Sequence, residues 1–477
     1  MNLISNNDNA LSKTPVNAFF AAAIATALCI SLSIAADGQI AGSSYGEHIL
    51  HIFNGLGLDG VRPLTTPLVR DSAGNIYGAT LDGGSYDGGT VFKISALRQM
   101  TILHSFSGSN GDGLFPIGQL ALDVNGFLYG TTNEGGFGSC QESGNGCGTV
   151  FKVSTSGGEY SVIHDFNPQS SSSNYPALPT SGIALDQNGN LFGATWSGGT
   201  FGDGVLFEIT PSGQYSVKYN FGTNPNDGTY SLGLSLDTQG NVYGTDLLGG
   251  PYDETNCLTT SWVLSFGCGT VFKVTPDGQE ILLHMFSGVA GDGGSPAGAL
   301  TLDSAGTLYG AALVGGTGTC QGGWFPTGGC GTLFKIDSRG TYSTIYSFPG
   351  TGQRGAGPLG SLAIDSAGNI YGLTEDGGTG ACDTGGGGAH TTGGHWTSFP
   401  GCGVAFKVTP AGTETVIHQF TGADGGNPEA GFITDAQGDL YGTTYDGGDL
   451  NSCGAPYGCG TVFELSPNGS MVNRSQF

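Results

Sequence analysis

The segment DSAGNIYGLTEDGG at residues 365–378 decides the fold, because near-copies of it recur along the chain. Similar segments read DSAGNIYGATLDGG from Asp71 and DAQGDLYGTTYDGG from Asp435. The seven copies begin at Asp71, Asp123, Asp186, Asp237, Asp303, Asp365 and Asp435. Self-similarity at such intervals is typical of repeat architectures, in which one closed array can take up a whole chain.

Each copy contains four short runs rich in aromatic and β-branched residues. Around Asp123 these runs are GQLALD (118–123), GFLYGTT (126–132), GTVFKVS (148–154) and YSVIHDF (160–166). Such runs, punctuated by Gly, Asn and Asp, are typical of β-strands, and four antiparallel strands make one propeller blade. We therefore predict an all-β fold in which residues 44–477 form a single seven-bladed β-propeller.

The aspartate that opens each copy is predicted to hold the turn between the first two strands. Its carboxylate can accept hydrogen bonds from backbone N–H groups, and the glycine three residues later can adopt a positive φ. Seven equivalent copies argue against a catalytic role, since an active site needs one such carboxylate. The same reasoning leads us to interpret a His or Tyr position on the fourth strand as packing: His51, His104, His164, Tyr219, His284, Tyr346 and His418.

Counting the strands predicts how the ring closes. A fourth-strand sequence, HILHIFNG (48–55), precedes the first copy. We predict that it pairs with the third strand of the last copy, GTVFELS (460–466), so that both chain ends share one blade and no edge stays open. The C-terminal MVNRSQF (471–477) is a competitor for this place, with a more polar pattern.

These motifs carry a family resemblance. LAIDSAGNIYG (362–372) is similar to the repeat of NHL-type propellers. The fuller pattern, D-x-x-G-N-[LIV]-Y-G-T-T-x-x-G-G followed by G-T-V-F-K and L-H-x-F, resembles the GloVer tandem repeat of exported bacterial proteins over roughly residues 47–466. The resemblance implies an exported propeller, often with a C-terminal sorting anchor, which the polar segment 467–477 does not match. It implies no catalytic residue.

Composition narrows the classes of partner. Glycine accounts for 91 of 477 residues, which fits turn-dense β structure. The formal net charge of −25 argues against nucleic acid and anionic membrane surfaces as partners. We expect a soluble monomer that binds no nucleic acid.

The N-terminus is predicted to be a secretory signal peptide spanning residues 1–36. Lys13 precedes the apolar run 18–36, which ends in small residues, and cleavage is expected near Ala35 or Ala36. Cys29 is interpreted as part of this run. An uncleaved membrane anchor is the alternative, because the run is long for a signal peptide. The expected location is extracellular, without membrane insertion after the signal is removed.

Cysteines occur only in five long connections between the second and third strands, apart from Cys29. The pairs are Cys140 with Cys147, Cys257 with Cys268, Cys320 with Cys330, Cys382 with Cys402, and Cys453 with Cys459. Their distribution favours five local disulfides, one at the base of each loop, which export would permit. A cysteine-based metal site is the weaker interpretation, since no CxxC spacing occurs.

These loops lie on one face of the predicted propeller, with the connections DGVRP (59–63), DGLFP (112–116), DGGSP (292–296) and DGGNP (424–428). That face is the candidate ligand surface, because it varies between copies. The candidate ligand-binding residues are Trp196, Trp262, Trp324, Trp396, Asp82, Glu134, Asp376 and Asp446. Aromatic rings flanked by carboxylates suit a neutral saccharide or a peptide. Alternatively, each Trp packs beneath its own loop.

Two further motifs leave alternatives open. His390 and His395, in HTTGGHW, have a spacing that could bind a metal or supply an acid or base, although a loop decoration is the simpler interpretation. The main hypothesis is a secreted binding protein without cofactor or metal. The alternative is a carbohydrate-active enzyme with paired carboxylates from Glu375, Asp376 and Asp446. A sialidase and a lyase for anionic glycans are disfavoured by the few arginines and the negative charge.

Overall fold

The strands of the protein, seen in a computed structural model, are arranged as repeated four-stranded sheets. The structure describes residues 45–63, 67–138, 140, 144–166, 175–251, 267–289, 291–320, 329–350, 353–380, 382, 401–450, 453 and 458–467. Within these ranges all regular structure is β, and no helix is long and apolar enough to cross a membrane. The predicted signal peptide lies outside the described residues.

The first half of the described strands builds one displaced strand and three blades. The displaced strand is β1 (Gly46–Ile52). Blade 1 contains β2 (Gly60–Pro63), β3 (Val69–Arg70), β4 (Ile76–Gly83), β5 (Thr90–Ile94) and β6 (Met100–Ser105). Blade 2 contains β7 (Gly113–Leu122), β8 (Phe127–Gly135), β9 (Thr149–Ser154) and β10 (Tyr160–Asp165). Blade 3 contains β11 (Ala177–Pro179), β12 (Ala184–Leu185), β13 (Leu191–Ser197), β14 (Val205–Ile209) and β15 (Tyr215–Asn220).

The second half repeats the same arrangement four times. Blade 4 contains β16 (Gly228–Leu236), β17 (Val242–Gly249), β18 (Thr270–Val274) and β19 (Glu280–Met285). Blade 5 contains β20 (Gly293–Pro296), β21 (Thr301–Leu302), β22 (Leu308–Gly315), β23 (Thr332–Ile336) and β24 (Tyr342–Ser347). Blade 6 contains β25 (Gly355–Ile364), β26 (Ile370–Gly377), β27 (Val404–Val408) and β28 (Glu414–Gln419). Blade 7 contains β29 (Ile433–Thr434), β30 (Leu440–Thr444) and β31 (Thr461–Ser466).

The ring closes as the sequence predicts, so the fold is a seven-bladed β-propeller. β1 pairs antiparallel with β31, from Gly46 opposite Ser466 to Ile52 opposite Thr461. The resulting sheet has the order β1-β31-β30-β29, which makes the N-terminal strand the outer strand of blade 7.

The repeated aspartate holds a turn, as predicted. In blade 6, Asp365 Oδ1 accepts hydrogen bonds from the backbone N–H groups of Ala367 and Asn369, each at 2.9 Å. Asp365 Oδ2 accepts from Asn369 Nδ2 at 2.7 Å and from the Tyr371 hydroxyl at 3.0 Å. One carboxylate thereby ties the turn to the second strand.

Paired phenylalanines join each blade to the next. Phe106, at the end of the outer strand of blade 1, is buried against Phe151 of blade 2, with ring centroids 5.0 Å apart. Gly130 is required beside this pair, because a Cβ there would lie 2.5 Å from Phe151 Cζ. Equivalent edge-to-face pairs are Phe53 with Phe92, Phe166 with Phe207, Phe221 with Phe272, Phe286 with Phe334, Phe348 with Phe406, and Phe420 with Phe463.

The D-G-x-x-P connections run into the inner strands. Three of these segments have a glycine that begins an inner strand, at Gly60, Gly113 and Gly293. In the fourth, Gly426 forms an isolated bridge with Asp446. Gly60 pairs with Gly83, and Gly113 pairs with Gly135. The residue before the proline has a positive φ, which is 56° at both Arg62 and Phe115. This angle interrupts the extended backbone of the strand. The segments still lie on the predicted face.

Candidate functional site

Two faces of the propeller differ in construction. We define the loop face as the face at which the second strand of each blade ends and the third strand begins. In blade 1 this is where Thr80 lies opposite Thr90. We call the opposite sheet ends the turn face, because the aspartate turns, such as that of Asp71, lie there. The four Cys-loop bases described below are all on the loop face.

Disulfides hold the bases of the long loops, as predicted. The described bridges join Cys140 to Cys147, Cys320 to Cys330, Cys382 to Cys402, and Cys453 to Cys459. Their Cα–Cα distances of 5.0–5.4 Å suit a disulfide. Cys268 is also disulfide-bonded, while its predicted partner Cys257 lies outside the described residues. Its pairing therefore stays a prediction.

Each loop base is also bound to the next blade. The N–H of Leu178 donates to the carbonyl of Cys147 at 2.9 Å, and the N–H of Arg62 donates to Cys459 at 2.9 Å. In blade 1, which has no cysteine, Phe115 donates instead to Gly88 at 2.9 Å. The donors are the positive-φ residues of the inner strands. This backbone position is therefore shared by the repeats, while its side chain differs: Arg62, Phe115, Leu178, Tyr230, Ser295, Gly357 and Asn427.

Exposed aromatic side chains mark the loop face of blades 1 to 3. Trp196 ends the second strand of blade 3, is 43% exposed and meets Tyr230 of blade 4 edge-to-face at 5.7 Å. Tyr86, Phe137 and Phe201, from the loops after the second strands, are 66%, 58% and 55% exposed. We call Tyr86, Phe137, Trp196 and Phe201 the aromatic arc. Trp196 therefore does not pack beneath its own loop.

Half-buried polar groups accompany the aromatic arc. The Arg62 guanidinium lies 3.1 Å from Asp82 Oδ2 and 5.7 Å from the centre of the Tyr445 ring. Burial raises the pKa of Asp82, although Arg62 opposes the shift. Glu134 of blade 2 accepts a hydrogen bond from Asn145 at 3.0 Å. These predicted site residues thus supply charged acceptors on the same blades as the exposed rings.

The other predicted acids lie deeper. Asp376 and Asp446, on blades 6 and 7, are 3% and 8% exposed, and Glu375 is 1% exposed. Asn427 Nδ2 donates to the Glu375 carbonyl at 3.4 Å, which links the two blades there. Trp262, Trp324, Trp396, His390 and His395 lie outside the described residues.

Sequence reasoning missed a set of polar junctions between neighbouring outer strands. The His or Tyr on the fourth strand packs on Phe, as predicted, but in several repeats it also reaches a charged residue that precedes the next inner strand, Arg354 in one case and Asp in the others. The described pairs are His51 with Asp59, His104 with Asp112, Tyr219 with Asp227, His284 with Asp292, Tyr346 with Arg354, and His418 with Asp424. The sequence signal was a charged residue six or eight residues after the His or Tyr, Asp in five of these six pairs.

A residue at the start of the next outer strand completes several of these junctions. Tyr160 stacks on His104 with ring centroids 3.6 Å apart and donates its hydroxyl to Asp112 at 2.7 Å. Burial opposes ionisation of Asp112, but the hydrogen bonds from His104 and Tyr160 lower its pKa to about 2. Tyr342 repeats the stack on His284 at 3.6 Å. At three other junctions, this place is occupied by Glu47, Glu280 and Glu414.

A buried carboxyl interrupts the repeat in blade 4. Thr80 and Thr132 of blades 1 and 2 bond to a threonine of the third strand at 2.8 Å. Asp246 takes this position in blade 4, fully buried, where Ser231 and Thr270 donate hydrogen bonds to it. Burial raises the pKa of Asp246 to about 7 against these hydrogen bonds.

A cavity of about 210 Å³ lies on the turn face between blades 3 and 4. Its lining includes Asp186, Phe192, Lys218 and Thr275. Its volume is below the roughly 300–1,000 Å³ typical of small-molecule sites. None of the predicted ligand residues lines it.

Comparisons with known proteins agree with this geometry. The profile of the Gloeobacter/Verrucomicrobia repeat matches residues 39–258 and 253–471. No curated protein sequence matches the chain.

Two solved structures match most of the length of the chain. The extracellular domain of a protein provisionally described as a hybrid two-component system of B. thetaiotaomicron matches with a TM-score of 0.52 and 12% identity, over 89% of this chain and 42% of that one. A protein provisionally described as a gluconolactonase matches with a TM-score of 0.38 and 11% identity, over 88% of this chain and 92% of that one.

Proposed function

Because the chain belongs to the family built from the Gloeobacter/Verrucomicrobia repeat, whose copies here close into a propeller, we propose that it is an extracellular binding protein. Its ligand is a neutral saccharide held on the loop face. The aromatic arc of Tyr86, Phe137, Trp196 and Phe201 is the observation that carries this proposal.

Large aromatic rings exposed on adjacent blades are costly unless something covers them. Large contiguous apolar patches on soluble proteins mark binding sites, and we propose that these rings contribute to one such patch. Trp196 is 43% exposed although its ring already contacts Tyr230, so its remaining surface is available to a partner. The same face is where the repeats differ in sequence, and binding residues concentrate in such variable segments on a rigid scaffold.

The accompanying polar groups favour a saccharide. The apolar face of a sugar ring stacks on aromatic side chains, and its hydroxyl groups donate hydrogen bonds to carboxylates. Asp82 and Glu134 supply such acceptors on the blades of the aromatic arc. A net charge of −25 repels anionic glycans at long range, which selects for neutral ones.

The four described disulfides support a place outside the cytosol. Disulfides persist in oxidising compartments and are rare among cytosolic proteins. Secretion through a signal peptide at residues 1–36 fits this environment and is part of the proposal.

The test is a neutral-glycan array on the full chain, followed by calorimetric titration of the best binder. Trp196→Ala and Phe201→Ala should each weaken binding about tenfold or more, as truncation of a central aromatic anchor does. Val124→Ala, an exposed apolar residue of the turn face, should leave affinity unchanged. Equal affinity for all three variants would place the ligand elsewhere, and binding only to peptides would contradict the saccharide assignment.

The same titration separates binding from catalysis. The proposal predicts that the bound saccharide is recovered intact after prolonged incubation. Cleavage would instead establish the glycoside-hydrolase alternative, and Asp376→Asn and Asp446→Asn should then abolish it.

A further inference from the structure

The junction between blades 6 and 7 differs chemically from the other described junctions. His418 of blade 6 and Asp424 of the following inner strand meet Glu47 of the closing strand β1. His418 Nε2 lies 3.4 Å from Glu47 Oε1 and 3.2 Å from Asp424 Oδ2. One atom of each residue lies within 4.8 Å of the others, the only such group of three potential metal ligands in the described part of the chain.

We propose that Glu47, His418 and Asp424 bind a divalent transition-metal ion, best represented by Zn²⁺, which fastens the closing strand to blade 6. This site is independent of the proposed ligand surface.

The ligand separations fit tetrahedral coordination. Metal–ligand bonds of about 2.0 Å in a tetrahedron place the ligand atoms about 3.3 Å apart. The two separations from His418 Nε2 are 3.4 and 3.2 Å, so modest shifts of the side chains bring all three atoms into range. Three protein ligands would leave a fourth position for water, as in many zinc sites.

The donor atoms also suit such an ion. One imidazole nitrogen and two carboxylates match Zn²⁺, whereas Ca²⁺ prefers six to eight oxygen ligands. Two carboxylates balance the charge of a divalent cation. Glu47 Oε1 is buried and accepts no hydrogen bond within the described structure, so it retains a lone pair directed at the junction.

A second layer of contacts orients the ligands. The Thr421 N–H and hydroxyl donate to Asp424 Oδ1 at 2.7 and 2.9 Å, which leaves Oδ2 toward His418. The His418 ring is fixed edge-to-face on Phe420, with centroids 4.7 Å apart. Such outer partners typically hold metal ligands in place.

The equivalent junctions lack the same set. Where His104 and His284 are present, the third residue is Tyr160 or Tyr342, stacked on the imidazole. Where a glutamate is present elsewhere, as at Glu280, the partner is Tyr219. The combination of His with two carboxylates is therefore specific to the junction that closes the ring.

These junctions supply matched variants. Glu47→Tyr converts the site into the arrangement seen at Tyr160, so it should preserve packing and remove one ligand. His418→Tyr copies Tyr219 and serves as a second variant if the first does not fold. Glu280→Tyr makes the same exchange at a junction without histidine and is the control.

The experiment is calorimetric titration of Zn²⁺ into the EDTA-treated full chain, with melting curves recorded with and without the ion. We expect stoichiometric binding and a higher Tm with Zn²⁺, because an ion that binds only the folded state stabilises it. Glu47→Tyr and His418→Tyr should weaken this binding at least tenfold or remove one equivalent, while Glu280→Tyr binds as the unaltered chain does. Absence of stoichiometric Zn²⁺ binding, or a folded Glu47→Tyr chain that binds normally, would overturn the proposal.

Discussion

Two carboxylates of the repeats, Asp365 and Asp246, have pKa values shifted in opposite directions. The turn aspartate Asp365 accepts four hydrogen bonds. Burial opposes ionisation of Asp365, but the hydrogen bonds from Asn369 and Tyr371 outweigh it and lower the pKa. Asp246 is fully buried with only two donors, and its pKa is raised. Burial and the number of hydrogen-bond donors together therefore set the direction of the pKa shift at these two sites.

Asp365→Ala should lower the free energy of unfolding by about 1–3 kcal/mol, since it leaves the turn N–H groups without their acceptor. Because the pKa of Asp365 is lowered in the folded state, its ionised carboxylate contributes its full stabilisation above pH about 5. This stabilisation is lost as the pH falls below about 4 and the carboxylate becomes protonated. Urea unfolding at pH 7 and pH 3 measures it, with exposed Ser366→Ala as control. Equal losses at both pH values would contradict the carboxylate's role.

Asp246→Thr should stabilise the protein more at pH 8 than at pH 5. The folded-state pKa of about 7 lies above the ordinary value, so the acid contributes stability below pH about 4 and loses it as the pH rises toward 7. Threonine restores the hydrogen bond seen at Thr80, and we expect a gain of about 2 kcal/mol at pH 8 relative to pH 5.

Paired urea titrations of Asp246→Thr at the two pH values provide this measurement. Asp277→Thr, an exposed acid in a turn, should show no comparable dependence on pH. A gain of Asp246→Thr that is the same at pH 5 and pH 8 would show that Asp246 does not titrate in this range.

At the scale of strands and loops, alternation and turn residues were enough to predict the second, third and fourth strands. The inner strands were harder, because Arg62 and Phe115 have positive φ beside proline and interrupt the pattern. The His–Asp junctions were missed for a related reason. Sequence spacing shows that His104 and Asp112 recur together, but not that a strand of the next blade brings Tyr160 onto both.

The loop-base disulfides should stabilise the blades that contain them. Replacing both Cys320 and Cys330 by Ala should lower the free energy of unfolding, because the bridge restricts the unfolded chain. The closed loop is short, so the expected loss is about 2–3 kcal/mol. Urea unfolding measures the loss, with Ser338→Ala in a turn of the same blade as control. An unchanged free energy of unfolding would contradict the bridge's structural role.

At the scale of the whole molecule, the displaced strand makes the propeller one cooperative ring. Deleting residues 44–52 removes every pairing partner of β31 on its outer side, including Glu47 opposite Leu465. We expect a sharply lower melting temperature and aggregation through the exposed edge. Light scattering during thermal unfolding measures both. Unchanged melting would show that β1 does not close the ring.

The proposed ligand surface was only partly predictable at this scale. Variation between the repeats identified the loop face and Trp196. Burial determines which of the other predicted acids are accessible. Asp82 remains half-buried beside Arg62, whereas Asp376 is 3% exposed, and no spacing in the sequence distinguishes the two. Phe137 and Phe201 were not among the predicted ligand-binding residues, because a single aromatic residue in a glycine-rich loop forms no recognisable sequence pattern.

The most direct test of the saccharide-binding proposal is hydrogen–deuterium exchange of the full chain with and without the neutral saccharide that binds best on the array. We expect slower exchange in segments 80–90, 133–138 and 195–204, which carry Asp82, Glu134 and the aromatic arc, and unchanged exchange in the turn-face segments 71–75 and 186–190. Protection confined to the turn face, around the cavity lined by Asp186 and Thr275, would contradict the account.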